Sequence, residues 1–306
     1  MRVLAALGGN ALLRRGQALT AENQRENVRV AAQSLAEIVR AGHDLIVTHG
    51  NGPQVGLLAL QGAAYKPDEM YPLDIMGAET EGMIGYLIEQ ELENALGHDR
   101  PVATLLTQVL VDADDPAFEK PTKFVGPVYD KDEAERLADA RGWQVAPDGD
   151  KWRRVVPSPL PQDIPDLRVI RLLADGGAIV ICAGGGGIPV VRRADGSLMG
   201  VEAVVDKDAA SALLADRLGV NALLLLTDVD GIQRDFGTDQ ATRIERLTPE
   251  EAKELDLPAG SMGPKAVAAA RFVQAGEGRL AGIGRLSDAV GILDHEAGTM
   301  ILEMPD

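Results

Sequence analysis

The sequence predicts an α/β fold: an open, mostly parallel sheet sandwiched by helices, with a small inserted subdomain. Three observations carry this. Short apolar runs without alternation recur along the chain, they break into glycine-rich turns, and long stretches of helical periodicity follow them. Strand, crossover helix and strand repeated in series describe a parallel sheet covered on both faces.

The elements follow in order. Val3–Leu7 is apolar throughout, as a strand buried on both faces must be, and it breaks into Gly8-Gly9-Asn10. Thr20 is placed to cap a helix in which Val28, Ala31, Ala32, Leu35, Ile38 and Val39 recur at helical spacing, with Gly42 as its stop. Leu45–Thr48 forms a second strand and runs into His49-Gly50-Asn51-Gly52-Pro53, where proline suits the first turn of another helix. A helix through Met83, Ile84, Leu87, Ile88, Leu92 and Leu96 leads to a strand over Val102–Val111.

From about 112 to 159 prolines and charges cluster and the apolar runs shorten, so an inserted subdomain is expected there within a single domain spanning 1–306. The alternation then resumes. Ala178–Cys182 enters the turn Gly184–Gly187, a hairpin forms around Ala194–Ser197, and Asp206–Leu218 is helical by pattern. Ala222–Leu226 is a strand, and Thr248-Pro249-Glu250-Glu251 is a strong helix start.

Composition excludes several function classes. Of 306 residues 45% are apolar and 25% charged, enough for a substantial core and too apolar for wholesale disorder. With 30 basic against 47 acidic residues the net charge is −17, the wrong sign for binding nucleic acid through its phosphates. No run approaches the ~18 apolar residues of a membrane span, and Val3–Leu7 is too short for a signal peptide. The single cysteine, Cys182, has a strand setting that suits a buried reduced thiol, so a cytoplasmic protein is expected, without membrane partners. Of the four histidines no two have ligand spacing, so no protein metal site is expected, and His49 reads as a structural hydrogen-bonding group. Ser158 and Ser261 lack a paired base, which removes nucleophilic catalysis.

The chemistry-bearing segments combine glycine with groups suited to phosphate: Gly8-Gly9-Asn10, Gly50-Asn51-Gly52, Gly184–Gly187 and Gly260-Ser261-Met262-Gly263-Pro264-Lys265. Glycine lets backbone N–H groups approach an anion, and a helix beginning there adds its positive end. Each alone is equally well explained as a tight turn. No Gly-Lys-Ser/Thr loop is present, Asp235-Phe236-Gly237 has no His-Arg-Asp partner, and Gly184–Gly187 meets Pro189 where a dinucleotide fingerprint needs a helix. Arginine outnumbers lysine 22 to 8, so Lys123, Lys207 and Lys265, all in glycine- or proline-framed segments, stand out. Phosphoryl transfer asks a protein for positioned positive charge rather than covalent chemistry, and three such lysines could supply it.

Leu7-Gly8-Gly9-Asn10-Ala11-Leu12, Thr48 through Gly56, Pro121-Thr122-Lys123, Arg154 through Pro159, Val205-Asp206-Lys207-Asp208 and Gly260 through Lys265 together resemble the motif set of carbamate kinases, within the wider amino-acid kinase fold. The resemblance spans essentially the whole chain. Other members of that fold carry a lysine just before the first glycine pair. Here Ala5, Ala6 and Leu7 occupy that place and Lys123 lies in the insertion, as in the carbamate branch.

The resemblance implies reversible transfer between ATP and carbamate, giving ADP and carbamoyl phosphate, with Mg2+ on the nucleotide, and a homodimer. It implies Lys123, Lys207, Asp208 and Lys265 as the catalytic set, with Asp208 orienting the ammonium groups. It implies that Gly8, Gly9, Asn10, Gly50, Asn51 and Gly52 hold the acceptor, in an N-terminal half of about 1–205. Nucleotide contacts are expected from Lys207, Thr227, Asp228, Val229 and Lys265, in a C-terminal half of about 206–306, with Asp228 and Asp230 as readily a turn-forming pair after a strand as direct contacts. Ile232 stands where an aromatic is common beside the adenine. Two other readings stay open at this level: a kinase of the same fold acting on another small acid, and a nucleotide-binding regulator without catalysis.

Overall fold

The computed structural model describes residues 1–14, 16–66, 70–238, 240–258 and 260–303, and for Asn10 the backbone alone. The first part of the chain forms β1 (Arg2–Leu7), α1 (Gly9–Leu12), α2 (Ala21–Arg40), β2 (Asp44–His49), α3 (Gly52–Tyr65), α4 (Leu73–Leu96), β3 (Val102–Thr104) and β4 (Gln108–Val111). Next come β5 (Lys123–Tyr129), α5 (Lys131–Arg141), β6 (Gln144–Asp148), β7 (Lys151–Val156), β8 (Pro161–Asp163), α6 (Leu167–Asp175), β9 (Ile179–Ile181), β10 (Ile188–Arg192) and β11 (Leu198–Gly200). The last part forms α7 (Lys207–Leu218), β12 (Ala222–Thr227), β13 (Gln233–Arg234), β14 (Thr242–Arg243), β15 (Arg246–Leu247), α8 (Pro249–Glu254), α9 (Met262–Gln274), β16 (Leu280–Arg285), α10 (Ala289–Leu293) and β17 (Thr299–Leu302).

An eight-stranded sheet in the order β15-β17-β16-β12-β1-β2-β9-β3 organises the molecule, parallel except where β16 meets β17. β1 lies near its middle, and its side chains alternate between two cores. Leu4 and Ala6 join α7, α9 and α6 on one face, while Val3, Ala5 and Leu7 join α2, α4 and α10 on the other. Burial on both faces is why this strand carries no polar residue between Val3 and Leu7. Thr20 caps α2 by accepting the Asn23 N–H, and its predicted apolar stripe is buried. Thr248 and Glu251 form a reciprocal capping box at the start of α8.

The segment predicted as one strand over Val102–Val111 is two strands in different sheets. β3 edges the large sheet, whereas β4 lies between β10 and β8 in a four-stranded sheet that also holds the β10–β11 hairpin. The break falls at Leu105–Thr107, where the Leu105 N–H still donates to Ile181 O but the Thr107 N–H turns to a side chain, that of Glu81. An apolar run cannot reveal which sheet each half joins.

A third, antiparallel sheet, β5-β7-β6, carries α5 on β7. It rests on α3 and α4 through Val156, which packs with Val55, Leu73 and Met76, and Val125 closes against them. The tight turn over Gly184–Gly186 follows β9. Gly186 there has φ +98°, and a Cβ on it would lie 2.2 Å from Val205 O, so only glycine lets this turn pack against the segment leading to α7.

Candidate active site

Parallel pairing fixes where the glycine turns meet. Leu7 is in register with His49 on one side and Leu226 on the other, and Val47 with Ile181, so the strands β1, β2, β9 and β12 end together. The Gly8 N–H donates to Leu226 O at 2.9 Å, and the Gly50 N–H to Leu7 O at 3.0 Å. The chain departs from β1 to β2 on one side and returns to β12 on the other, making a crevice at the carboxyl edge where ligands of such sheets bind.

The N-terminus of α7 points at this edge. Asp206 is its cap: Oδ1 accepts the N–H groups of Asp208 (3.0 Å) and Ala209 (3.2 Å), and Oδ2 accepts from Lys123 Nζ at 2.8 Å. Lys123 thus reaches from β5 to the start of α7. Asp208 is buried and bridges two lysines, with Oδ1 2.7 Å from Lys207 Nζ and Oδ2 accepting from Lys265 Nζ at 2.8 Å. The Lys207–Asp208 contact is ionic without hydrogen-bond alignment, so both Lys207 Nζ and Asp208 Oδ1 remain buried hydrogen-bonding atoms without a partner. Burial would raise the Asp208 carboxyl, but the charges of Lys207 and Lys265 hold it well below the usual carboxylate range. Burial, aided by Lys265, draws the Lys207 ammonium below the ordinary lysine value against the pull of Asp208. A buried ammonium with unused donors beside a second one is a site for an anion.

Two cavities flank this cluster. One, of about 220 Å³, is lined by Gly9, Gly50, Asn51, Gly52, Lys123, Gly185 and Lys207. The other, of about 260 Å³, is lined by Gly8, Gly9, Thr227, Asp228, Val229, Phe236, Ser261 and Lys265 among others. Gly9 borders both. A larger cleft of about 710 Å³ lies among Tyr71, Trp143, Arg154 and Glu202, but it contains none of the three lysines. The Trp143 ring lies 4.7 Å from the guanidinium carbons of both Arg141 and Arg154, so its aromatic contacts there are internal.

Of the residues singled out in the sequence, Lys123, Lys207, Asp208, Lys265, Gly9, Gly50, Asn51 and Gly52 lie on or beside the smaller cavity and the ion cluster. Gly8 lines the second cavity rather than the first, together with Thr227, Asp228 and Val229. The backbone of Asn10 lies in α1, while its side chain is outside the described residues. Ile232 is fully buried in the core and does not line that cavity. Phe236 lines it instead and is 67% exposed. It sits in the Asp235-Phe236-Gly237 triplet, whose likeness to a protein-kinase motif pointed the wrong way. Among the described residues no group of three or more His, Cys, Asp and Glu side chains could hold a metal.

His49 is buried behind the turn, with its Nδ1 3.1 Å from Gly50 O. Burial, reinforced by the charge of Lys207, lowers its pKa from 6.5 to about 4 despite the Gly50 contact. The neutral imidazole therefore donates from Nδ1 to Gly50 O and holds the turn. Cys182 is buried and its thiol is pushed up by burial, so it is unreactive.

The model of the amino acid kinase family matches residues 1–281. The chain is 56% identical to the carbamate kinase of Rhizobium meliloti over 303 residues, covering 98% of this chain and 93% of that one. It is 55% identical to the carbamate kinase of Haemophilus influenzae over 301 residues, covering 98% and 96%. Among solved structures, carbamate kinase from Giardia lamblia bound to AMP-PNP superposes with a TM-score of 0.91 at 39% identity, covering 99% of this chain and 98% of that one.

The neutral His49 gives a test. Its folded pKa of about 4 lies below the ordinary 6.5, so the folded state resists a proton that the unfolded chain accepts. Stability is lost as pH falls from 6.5 towards 4. The stability advantage of wild type over His49→Gln should therefore shrink across that window in thermal melts. An advantage independent of pH would show that His49 is not held neutral.

Proposed function

We propose how the reaction proceeds in this chain, which belongs to the amino acid kinase family and, within it, to the carbamate kinases. ATP and carbamate exchange a phosphoryl group to give ADP and carbamoyl phosphate. The observation that carries the reading is the pair of cavities meeting at Gly9, with Lys207 in one, Lys265 in the other and Asp208 between them. The smaller cavity suits the acceptor, because carbamate is small, planar and anionic. Backbone N–H groups of Gly9 and Gly52, with Lys123 at the rim, match its charge, while the Gly50 N–H is spent on Leu7 O and shapes the turn. The second cavity receives the nucleotide.

Attack needs no general base, since the carbamate oxygen is already anionic. The work is electrostatic: the γ-phosphoryl passes between the cavities, and Lys207 offers its unused donors to the equatorial oxygens. Lys265 and the Gly8-Gly9 turn meet the nucleotide phosphates. Asp208 is not a proton acceptor in this scheme; it holds two neighbouring ammonium groups together and aimed. Lys123 exchanges Asp206 for the acceptor's negative charge. Asp228, on the wall of this cavity, is a carboxylate that would help to hold a Mg2+ ion brought in on the nucleotide. When bound, the ion neutralises phosphate charge. Phe236 covers the nucleotide base, taking the part that the buried Ile232 cannot.

The resemblance to carbamate kinases further supports a homodimer, and a lone buried thiol fits a reducing cytoplasm. Among the described residues no helix is long and apolar enough to cross a membrane.

Wild-type protein should form ATP from ADP and carbamoyl phosphate in a coupled assay, and Lys207→Ala should lower turnover about a hundredfold or more with the fold intact. An inactive wild type would refute the reaction, and a near-wild-type Lys207→Ala would refute the lysine's role. Phe236→Ala should raise KM for ADP about tenfold, as for loss of a base-stacking ring, and leave KM for carbamoyl phosphate unchanged. Equal effects on both substrates would place Phe236 elsewhere.

A further inference from the structure

Behind the acceptor cavity, one helical step of α4 holds two of the turns that form it. Thr80 accepts from Asn51 Nδ2 at 2.9 Å and donates to Met76 O at 2.9 Å. Glu81, the next residue, is 1% exposed. Its Oε2 accepts the Thr107 N–H at 2.8 Å, and the Gly184 amide faces the same carboxyl. Thr107 in turn accepts the Ala183 N–H at 2.9 Å and donates to Leu105 O at 2.9 Å. A Cβ on Gly184 would lie 2.4 Å from His49 Cε1 and 3.0 Å from Glu81 Cγ, so the imidazole and the glutamate stem grip this turn together. The Asn51 and Gly184 turns are thereby locked to adjacent residues of a single helix.

The remaining oxygen, Glu81 Oε1, is buried and meets no donor. Unlike Asp208, whose bare oxygen lies beside an ammonium, Glu81 has no cation among the groups that act on it, and a proton on the carboxyl removes a charge that nothing there offsets. The surroundings agree. Asp166, which accepts the Gln108 N–H at 2.7 Å, faces Glu81 with its own negative charge, Cys182 is an unionised thiol, and His49 is neutral. Burial first, then Asp166, push the Glu81 carboxyl well above its ordinary value against the amide donors of Thr107 and Gly184.

We propose that Glu81 is a positioning residue that works as a neutral carboxylic acid, fixing the Gly184 turn against the Asn51 turn without placing a negative charge behind an anion site. The inference rests on the acceptor reading of the smaller cavity. It explains why an acidic side chain is compatible with a pocket that must attract carbamate: protonated on one oxygen, it still accepts the Thr107 N–H on Oε2 and carries no net charge.

Two variants and two readouts test it. Glu81→Gln keeps the neutral shape and should leave KM for carbamoyl phosphate within about threefold of wild type. Glu81→Leu strands the Thr107 and Gly184 amides and should raise that KM about tenfold or more, with KM for ADP within about twofold. The second readout is stability against pH. The unfolded chain releases the Glu81 proton near its ordinary value of 4.5, whereas the folded chain retains it, so wild-type stability declines as pH rises above 4.5. Glutamine has no proton to release. The Tm of Glu81→Gln relative to wild type should therefore be higher at pH 8 than at pH 5. A Tm difference flat across that range would overturn the neutral acid. Glu81→Gln losing as much acceptor affinity as Glu81→Leu, or Glu81→Leu binding normally, would overturn the positioning role. Should Glu81→Leu not fold, the two Glu81→Gln readouts decide. An inactive wild type would refute the acceptor reading, and the positioning role with it, while the pH series alone tells whether Glu81 is protonated.

Discussion

Everything in this site depends on one buried carboxylate shared by two ammonium groups. Lys207 and Lys265 both lie within 2.8 Å of Asp208, in surroundings that penalise each charge separately. Without the carboxylate, two partly desolvated like charges would face each other with nothing to offset their repulsion. With it, the two lysines are held side by side in a cluster of net positive charge, and Lys207 keeps donors beyond its contact with Asp208. The location of Asp208 is set by α7, whose first turn is capped by Asp206 and whose apolar residues Ala210, Leu214, Ala215 and Leu218 anchor it to the sheet. Lys265 arrives on α9, which packs against α7 through small residues such as Ala266, Ala269 and Ala270. Small side chains let the two helices approach closely enough for one carboxylate to reach both lysines.

The sheet supplies the second constraint. Parallel strands in register must end together, so turns more than two hundred residues apart in sequence become neighbours: Gly8 after β1 and Thr227 at the end of β12 line one cavity. The Gly9 turn that follows β1 then borders both the cavity lined by Lys207 and the one lined by Lys265. This local concentration of positive charge is compatible with a net charge of −17, since fields from the acidic surface are screened over about 8 Å at physiological salt.

Much of this was legible in the sequence because it rests on local rules. The unbroken apolar run Val3–Leu7 identifies a strand buried on both sides, Thr20 identifies a helix start, and lysines within glycine-rich segments of an arginine-rich chain identify the charge cluster. What escaped depends on tertiary placement. Val102–Val111 reads as one strand because no local feature says that its halves join different sheets. The triplet around Phe236 reads as a chance likeness in the sequence, and its place as an exposed aromatic at a cavity wall exists only after folding. Glu81 was invisible for a related reason: on a helix an acidic residue reads as a solvated face, and only the close approach of α4 to the Thr107 and Gly184 amides buries it.

The bridging carboxylate can be tested by removing its charge while keeping its shape. Asp208→Asn should remain folded by circular dichroism and still bind ADP, because the backbone turns and Phe236 are unchanged. Its rate of ATP formation from ADP and carbamoyl phosphate at saturating substrate should fall about a hundredfold or more, because the lysines lose the charge that holds them side by side and aimed. A folded Asp208→Asn enzyme turning over within about threefold of wild type would contradict the account, since removing a preorganised charge partner at the reacting group must cost far more than that.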